Sequence, residues 1–397
     1  MDGLRMRNDQ QVRMTRREWL TATISTSCAF LIGSGIAGCG REKSGDFGFL
    51  GGRQVGILEF VGEGNAPLNK LLGSELDGRL FTDLSSTTRN NLVTPTEQFY
   101  IRSRSSDLLD LTKRWTVRTT NIDSVSQLLV RDLKEVEEPQ GTHLMECSGN
   151  ARTAHFGMIS VAEWRGVSMK RFMHMVGMDD PKGLILISGF DKYKQESRTS
   201  ISGASWIFQP KALLDSSAFM ATSMNGQPLS RDHGAPVRLV VPGWYGCASI
   251  KWVNEVRIVQ SGSETTSQMQ EYAVRTHQKG VPRLAVEYEP PSVDPAAMPV
   301  RVEEWVVDGE RKYRVVGIVW GETQPSGTLM IQFDSAESYQ PVEDVLRSSD
   351  DSWGVWTHAW KPRRTGLFVM RLRFNNRVRT RRLDVGFYGR TVEIKRL

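Results

Sequence analysis

The sequence predicts an α+β protein in which a mixed α/β domain is followed by a β-sandwich. In the middle of the chain, the apolar runs at 183–188 and 236–242 have the length and composition of buried strands, and 168–176 and 210–219 look helical. From about Met298 the sequence changes to short, evenly spaced strand runs, which are typical of a β-sandwich. These runs are 300–307, 313–319, 328–333, 355–360, 367–374 and 377–385.

Length and composition exclude several classes of protein. The 397 residues are enough for two or three domains, and 39% hydrophobic with 24% charged residues excludes a largely disordered chain. The net charge of +6 is small for this length, and no zinc-finger or basic-helix pattern is present, so no nucleic-acid partner is expected. Four cysteines are too few for a disulfide framework.

Residues 1–38 are predicted to be a twin-arginine signal peptide. Arg16 and Arg17 precede an aromatic residue and a leucine, and the run that follows is too polar for a membrane span. This route exports folded proteins, so the sequence predicts a periplasmic location. Residues 36–39 are similar to a lipobox, which would make Cys39 a lipid anchor on the outer side of a membrane. The alternative is a small-residue cleavage site with an incidental cysteine.

The remaining chain divides into four predicted segments. Residues 39–90 are rich in Gly, Ser and charge, and are predicted to be a tether and irregular lead-in. Residues 91–263 carry the mixed domain, 264–290 form a polar, turn-rich linker, and 291–397 form the sandwich. Of the four cysteines, only Cys147 and Cys247 lie within the predicted domains, and these two could form a disulfide.

Cys147 is the most informative residue of the mixed domain. It lies where an apolar strand runs into a Ser-Gly-Asn turn, and Arg152 would lower the pKa of the thiol if it were close. Three interpretations remain open: a buried structural cysteine, a nucleophile and a thiolate metal ligand. Neither His143 nor His155 has a diagnostic spacing for a nucleophile, and the paired ligands of a zinc site are missing. A softer metal held mainly by a non-protein chelate needs only one thiolate.

Basic residues form two further candidate clusters. His233, Arg238 and Lys251, together with backbone N–H groups around 246–250, could form a phosphate cradle. Arg102 and Arg104 are two apart, so on a strand both would point to one face and suit an oxyanion or pterin site. The alternative for each of these residues is a solvated position on the surface.

Taken together, these segments resemble the sulfite oxidase family of molybdenum enzymes, whose members carry one molybdopterin on a mixed α+β domain. Residues 94–104 are similar to the family's Pro-x-x-x-Phe-Tyr-(Val/Ile)-Arg stretch, and 146–150 to its Cys-(Ala/Ser)-Gly-Asn motif. Further blocks at 160–167, 224–229, 233–238 and 242–252 follow in the family's order. The resemblance covers about 92–275, and 353–372 more weakly resemble the family's immunoglobulin-like dimerisation domain.

The resemblance implies a role for individual residues. Cys147 would be the molybdenum ligand, and Mo-molybdopterin the cofactor. Arg102 and Arg152 would bind an oxyanion substrate, and Tyr272 would be an active-site tyrosine carried by the linker. The implied cofactor contacts are Arg102, Ser103, Arg104, Cys147, Asp191, His233, Arg238, Ser249, Ile250 and Lys251. The family's third substrate arginine, from the sandwich domain, has no clear counterpart, and Arg371, Arg373, Arg377, Arg379 and Arg381 are the candidates.

The function implied by the resemblance is two-electron oxygen-atom transfer, most simply the oxidation of a small sulfur oxyanion such as sulfite. The sequence has no Cys-x-x-Cys-His haem attachment, so an external redox partner, for example a cytochrome c, is expected. A homodimer is the family expectation. Two alternatives remain open: a molybdenum reductase of S-oxides or N-oxides, and a non-catalytic secreted lipoprotein that binds a partner through its β domain.

Overall fold

The computed structural model describes eight stretches of the chain, all beyond the predicted signal peptide. They are 51–74, 77–104, 109–120, 125–190, 204–321, 329–347, 352–375 and 380–397. The signal peptide at 1–38, Cys39, Asp191, Arg377 and Arg379 lie outside the described residues. Within the described stretches, no helix is both long enough and apolar enough to cross a membrane.

Strands dominate the described residues, and the helices are short. The strands are β1 Arg53–Leu58, β2 Phe60–Val61, β3 Arg79–Leu80, β4 Ile101–Arg102, β5 Thr116–Thr120, β6 Val125–Leu129, β7 Glu138–Glu146, β8 Ile159–Ser168, β9 Leu184–Gly189, β10 Ser205–Phe208, β11 Phe219–Met224, β12 Gln227–Pro228, β13 Arg238–Val240, β14 Val253–Val259, β15 Ala296–Val307, β16 Glu310–Trp320, β17 Leu329–Gln332, β18 Gln340–Pro341, β19 Glu343–Arg347, β20 Gly354–Trp360, β21 Gly366–Phe374 and β22 Arg390–Ile394. The helices are α1 Val130–Glu135, α2 Met169–Met175, α3 Pro210–Asp215, α4 Ser267–Tyr272 and α5 Arg381–Asp384.

Two sheets form the mixed part of the chain. One has the strand order β10-β9-β14-β5-β6, with β14 parallel to β5, and the other has the order β12-β11-β8-β7, with β13 paired to β11. The apolar run in β9 is buried along its length because neighbouring elements cover both of its faces. Helix α2 packs Met169, Phe172 and Met173 into the same core, at the spacing of one helical face. The helix predicted at 168–176 is present as α2. The helix predicted at 210–219 is present as α3 only over Pro210–Asp215, and Phe219 begins β11 instead.

Two further sheets form the C-terminal part, with the orders β1-β15-β16-β20-β19 and β18-β17-β21-β22-β2. Strand β21 alternates strictly: Phe368 and Met370 are buried, whereas Arg371 and Arg373 are exposed. This alternation places Arg371 and Arg373 on a solvated face. The core between these strands also takes in Phe156 and other side chains of the mixed part, so the two parts share apolar packing.

Two predictions differ from the structure. Residues 53–61, predicted as part of a tether, form β1 and β2, which pair with β15 and β22 at the edges of the C-terminal sheets. These strands are held by partners far away in the chain, so no local pattern in the sequence predicted them. The described end of the strand predicted at 377–385 is instead helix α5, and the last strand is β22. The alternating arginines gave this stretch the appearance of a strand, but Arg382 is buried and lies on a helical turn.

The close packing of β16 on its neighbours gives a test of this core. A methyl group at Gly317 would overlap the indole of Trp356 and come within 2.6 Å of the Met298 carbonyl oxygen. We expect Gly317→Ala to lower the free energy of unfolding by roughly 1–3 kcal/mol through overpacking. Gly262→Ala, where the methyl group would meet nothing within 4 Å, is the control and should change it by about 0.5 kcal/mol or less. Urea titration of both variants measures the difference, and equal stabilities would contradict the packing.

Candidate functional site

A cavity of about 490 Å³ collects most of the predicted site residues. It lies among the ends of β4 and β7, the segment 232–251 and helix α4. The predicted residues that line it are Arg102, Ser103, Cys147, His233, Arg238, Ser249, Ile250, Lys251 and Tyr272. Arg104 and Arg152 are not among the lining residues, and Asp191 lies outside the described part of the chain. Arg104 donates instead to the carbonyl oxygen of Gly73 at 3.0 Å.

Cys147 follows the last residue of β7 and is held by a tight turn. Its N–H donates to the Met158 carbonyl oxygen at 2.9 Å, and its own carbonyl oxygen accepts from the Asn150 N–H at 2.9 Å. The Gly149 N–H points at the sulfur, with 3.4 Å between N and Sγ. Burial, and to a smaller extent the Glu146 carboxylate, raise the pKa of the Cys147 thiol, while the Gly149 N–H and the positive charges of Arg102 and Arg275 act in the opposite direction. The turn therefore presents a buried sulfur with one hydrogen-bond donor and two cations that partly offset the cost of a buried thiolate.

His233 is neutral in this structure. Its Nε2 donates to the Phe99 carbonyl oxygen at 3.1 Å, so Nδ1, 2.8 Å from Ser230 Oγ, accepts from that hydroxyl. Burial, together with the charges of Arg238 and Lys251, lowers the pKa of His233 to about 4, despite the bond to Phe99. The imidazole therefore shapes this end of the cavity without supplying a positive charge at neutral pH.

Lys251 and Arg238 hold the cavity wall together. The Lys251 ammonium donates to the carbonyl oxygens of Arg102 at 3.3 Å and Asp232 at 3.1 Å, and also to that of Ser103. Arg238, 4% exposed, donates to the carbonyl oxygens of His233 at 3.0 Å and Ser249 at 3.3 Å. These bonds fix three separate segments of the chain around one space.

Two buried polar atoms in the cavity residues fit a polar ligand. Asp232 Oδ1 and Arg238 Nε have no hydrogen-bond partner among the described residues, although nearly all buried polar atoms in proteins do. A molecule that offers both donors and acceptors, as a pterin does, would satisfy the carboxylate and the guanidinium. The soft sulfur of Cys147 lies in the same cavity and suits a metal carried by such a molecule. The residues present therefore fit molybdopterin.

Tyr272 reaches the cavity from the last turn of α4. Thr266 caps this helix by accepting from the Met269 N–H at 3.2 Å, and Tyr272 is 7% exposed. The guanidinium of Arg275 stacks over the Tyr272 ring, 5.6 Å from its centre. The segment predicted as a linker thus contributes a short helix and a wall of the cavity.

A buried ion pair beneath Cys147 was not predicted. Glu146 is fully buried, and its Oε1 accepts from the guanidinium of Arg382 and from the Tyr388 hydroxyl. Its Oε2 accepts from Trp320 Nε1 at 2.9 Å. Burial alone would lower the pKa of Arg382, but Glu146 and the neighbouring tyrosines raise it overall. The sequence did indicate an unusual position, because Glu146 is a charged residue inside the apolar run that leads to Cys147. Nothing in the sequence identified Arg382 as its partner.

Arg152 is not among the residues that line the cavity. It begins a single 3-10 turn after Asn150, and its Nη2 donates to the Gly389 carbonyl oxygen at 2.6 Å. The turn that positions Cys147 therefore carries Arg152 towards the C-terminal part of the chain. The structure does not bring this predicted substrate-binding residue to the cavity.

The Glu146–Arg382 pair predicts a large effect of removing one charge. We expect Arg382→Leu to lower the free energy of unfolding by about 3–5 kcal/mol, because it leaves the Glu146 carboxylate buried without its cation. Glu146→Gln combined with Arg382→Leu should recover part of the loss. Lys211→Met, which breaks an exposed pair with Asp215, is the control and should cost about 0.5 kcal/mol or less. Urea titration measures all three, and a similar cost for Arg382→Leu and Lys211→Met would contradict the assigned importance of the buried pair.

The lowered pKa of His233 predicts a pH dependence of stability. The ordinary value of 6.5 applies to the unfolded chain, so between pH 6.5 and about 4 the unfolded state binds more protons. Stability should fall as the pH falls through this window, by up to roughly 1.4 kcal/mol per pH unit from this residue. His233→Gln should remove that part of the slope. His358, whose pKa burial also lowers, contributes to both proteins and cancels. Parallel slopes in the two proteins would contradict the assignment.

Comparisons with known proteins identify a molybdopterin binding domain in the part of the chain that carries this cavity. Residues 105–267 match the family model described as the oxidoreductase molybdopterin binding domain. The chain is 25% identical over 204 residues to a sulfite oxidase of Arabidopsis thaliana, covering 46% of this chain and 52% of that protein. It is 27% identical over 199 residues to a nitrate reductase of Phaseolus vulgaris, covering 45% of this chain and 22% of that protein. The chain thus spans about half the length of the first relative and less of the second.

A solved structure has a similar fold. The sulfane dehydrogenase SoxCD from Paracoccus pantotrophus matches with a TM-score of 0.59 at 17% identity, over 76% of this chain and 77% of that chain. At this identity the likeness concerns the fold alone. The matched molybdopterin binding domain and the sulfite oxidase relatives support the sulfite oxidase family of molybdopterin-dependent oxidoreductases for this chain, with Mo-molybdopterin as the cofactor.

Proposed function

We propose that this chain catalyses two-electron oxygen-atom transfer on a small anion, most simply the oxidation of a sulfur oxyanion such as sulfite. The observation that carries the proposal is the buried Cys147 sulfur facing a cavity that also holds arginine and lysine side chains. A thiolate ligand and an anion-attracting surface in one cavity suit the oxidation of an anion at a metal.

The residues of the cavity have separate roles in this proposal. Cys147 holds the metal, and Asp232 and Arg238 meet the polar edge of the pterin with their unpartnered atoms. Ser249 and Lys251 line the part of the cavity where a phosphate group would lie, and His233 shapes it as a neutral group. When bound, the molybdenum cofactor supplies two-electron oxygen-atom transfer.

On the substrate side of the cavity, the positive charge of Arg102 is partly compensated by a nearby carboxylate. Arg102 lines the cavity, and its guanidinium is 3.8 Å from the carboxylate of Asp77. A cation fixed before the substrate arrives orients an anion without reorganisation. Tyr272, held by α4, lines the same cavity, and in this proposal its hydroxyl hydrogen-bonds an oxygen of the substrate.

The proposal extends to the place where the protein works. The Arg16-Arg17 pair supports export by the twin-arginine route after the cofactor has been inserted, to the periplasm or to the outer face of a membrane with Cys39 as a lipid anchor. An external acceptor such as a cytochrome c takes the electrons. The C-terminal part, 291–397, acts as an immunoglobulin-like sandwich for homodimerisation, and 91–263 with the segment 264–290 form the catalytic part.

A molybdenum reductase is the second candidate function. The similarity to a protein named as a nitrate reductase favours it. The cavity geometry suits removal of oxygen from an S-oxide or N-oxide as well as its addition. The direction of oxygen-atom transfer is therefore decided by assaying both the oxidation and the reduction.

Molybdenum content and turnover test the proposal. Wild-type protein exported with its native signal should contain about one Mo per chain and oxidise sulfite, because one thiolate suffices for a metal held by a chelate. Cys147→Ser should lose activity and change the visible spectrum. Cys247→Ser is the matched control and should retain molybdenum, because burial raises the pKa of the Cys247 thiol and keeps it protonated.

The alternative outcomes are distinct. Molybdenum without sulfite oxidation, but with reduction of an S-oxide or nitrate, would favour the reductase. Protein without molybdenum, from a host that makes the cofactor, would contradict the enzyme proposal and favour a non-catalytic lipoprotein.

A further inference from the structure

The structure leaves the substrate side of the cavity without one of its predicted cations. Arg152 donates at 2.6 Å to the Gly389 carbonyl oxygen and does not line the cavity. Arg102 does line it, but its charge is reduced by Asp77, 3.8 Å away. A single, partly compensated arginine binds an anion weakly, because the nearby carboxylate repels the same anion.

A different arginine lies beside the sulfur. Arg275 Nη1 is 3.3 Å from the point where a side chain on Gly149 would begin, and Cys147 Sγ is 3.8 Å from the same point. The guanidinium and the sulfur therefore flank Gly149, a position that has no side chain. The Gly149 N–H also points at the sulfur, so Arg275 and the predicted metal ligand lie beside the same turn.

Arg275 is held in this place by local structure. Its guanidinium stacks over the ring of Tyr272, a cavity residue, at 5.6 Å. The Thr276 hydroxyl is 2.9 Å from the Tyr272 carbonyl oxygen and 2.6 Å from the Tyr288 hydroxyl, which fixes the turn after α4. Arg275 itself is exposed, so its N–H groups can reach an anion that enters from solvent.

Arg275 and Arg102 come near Cys147 from different segments of the chain. Arg102 lies on β4 and lines the cavity, whereas Arg275 lies in the turn after α4, beside Gly149, and is not among the lining residues. An anion bound near the sulfur by both guanidinium groups would form charge-assisted bonds with each.

We propose that Arg275, together with Arg102, binds the oxyanion substrate in the place that the sequence assigned to Arg152. The identity of the anion in this inference rests on the proposed function. The location of the binding site rests on the positions of Gly149, Cys147 and Tyr272. Arg275 is then a substrate-binding residue of the helix–turn segment that also carries Tyr272.

Steady-state kinetics on the molybdenum-loaded protein give the first test. Arg275→Gln should raise KM for sulfite about tenfold or more, with a smaller change in kcat, because charge-assisted bonds to the bound anion are lost. Arg275→Lys, which keeps the charge, should recover part of this loss. Arg283→Gln removes an exposed arginine from the same segment and is the matched control. A normal KM in Arg275→Gln, or a larger rise in Arg152→Gln, would overturn the proposal.

Binding of sulfate, which is not turned over, gives a second test that does not depend on the reaction. Sulfate should raise the melting temperature of the wild type and of Arg283→Gln more than chloride does at equal ionic strength. Arg275→Gln should lose the specific part of that rise and keep only the general salt effect. An unchanged sulfate effect in Arg275→Gln would overturn the anion site. A loss of the effect in Arg275→Gln, with no sulfite oxidation in wild type, would support the anion site while refuting sulfite as the substrate.

Discussion

The arrangement of the cavity depends on one buried ion pair. Glu146 has no exposure to solvent and meets the Arg382 guanidinium, which is 6% exposed. Removing both charges from water costs several kcal/mol per ion, so the pair is tolerable only with good geometry and satisfied hydrogen bonds. Tyr388 and Trp320 complete those bonds on the carboxylate. Because Glu146 directly precedes Cys147, the position of the metal ligand is tied to the C-terminal part of the chain.

A second buried ion pair joins the beginning of the described chain to its end. Arg390 forms a buried, two-pronged pair with Glu63, and its guanidinium lies 3.6 Å from the centre of the Phe60 ring. Strands β1 and β2 add to the two C-terminal sheets at their edges. The two C-terminal sheets are thus completed by residues that precede the mixed part, and removal of β1 and β2 would expose an edge strand in each of these sheets.

Much of the local structure was accessible from the sequence, since it depends on neighbouring residues. The Ser-Gly-Asn turn, the buried run of β9 and the alternation of β21 each follow from short-range pattern. Most of the cavity residues came from the resemblance to a family rather than from spacing. The rest was not accessible because it depends on distant partners: Glu146 and Arg382 are 236 residues apart, and Arg152 is turned aside by a carbonyl oxygen near the other end of the chain.

The hydrogen bonds of the Lys251 ammonium affect how the cofactor binds. The ammonium bridges the carbonyl oxygens of Arg102, Ser103 and Asp232, so it joins segments that are far apart in the chain. These bonds are made within the chain itself, so they help to order the segments independently of any bond to molybdopterin. A site that is ordered in advance binds with a smaller entropic penalty. The finished fold can then take up its cofactor by filling a space of fixed shape, with little rearrangement of the wall around it.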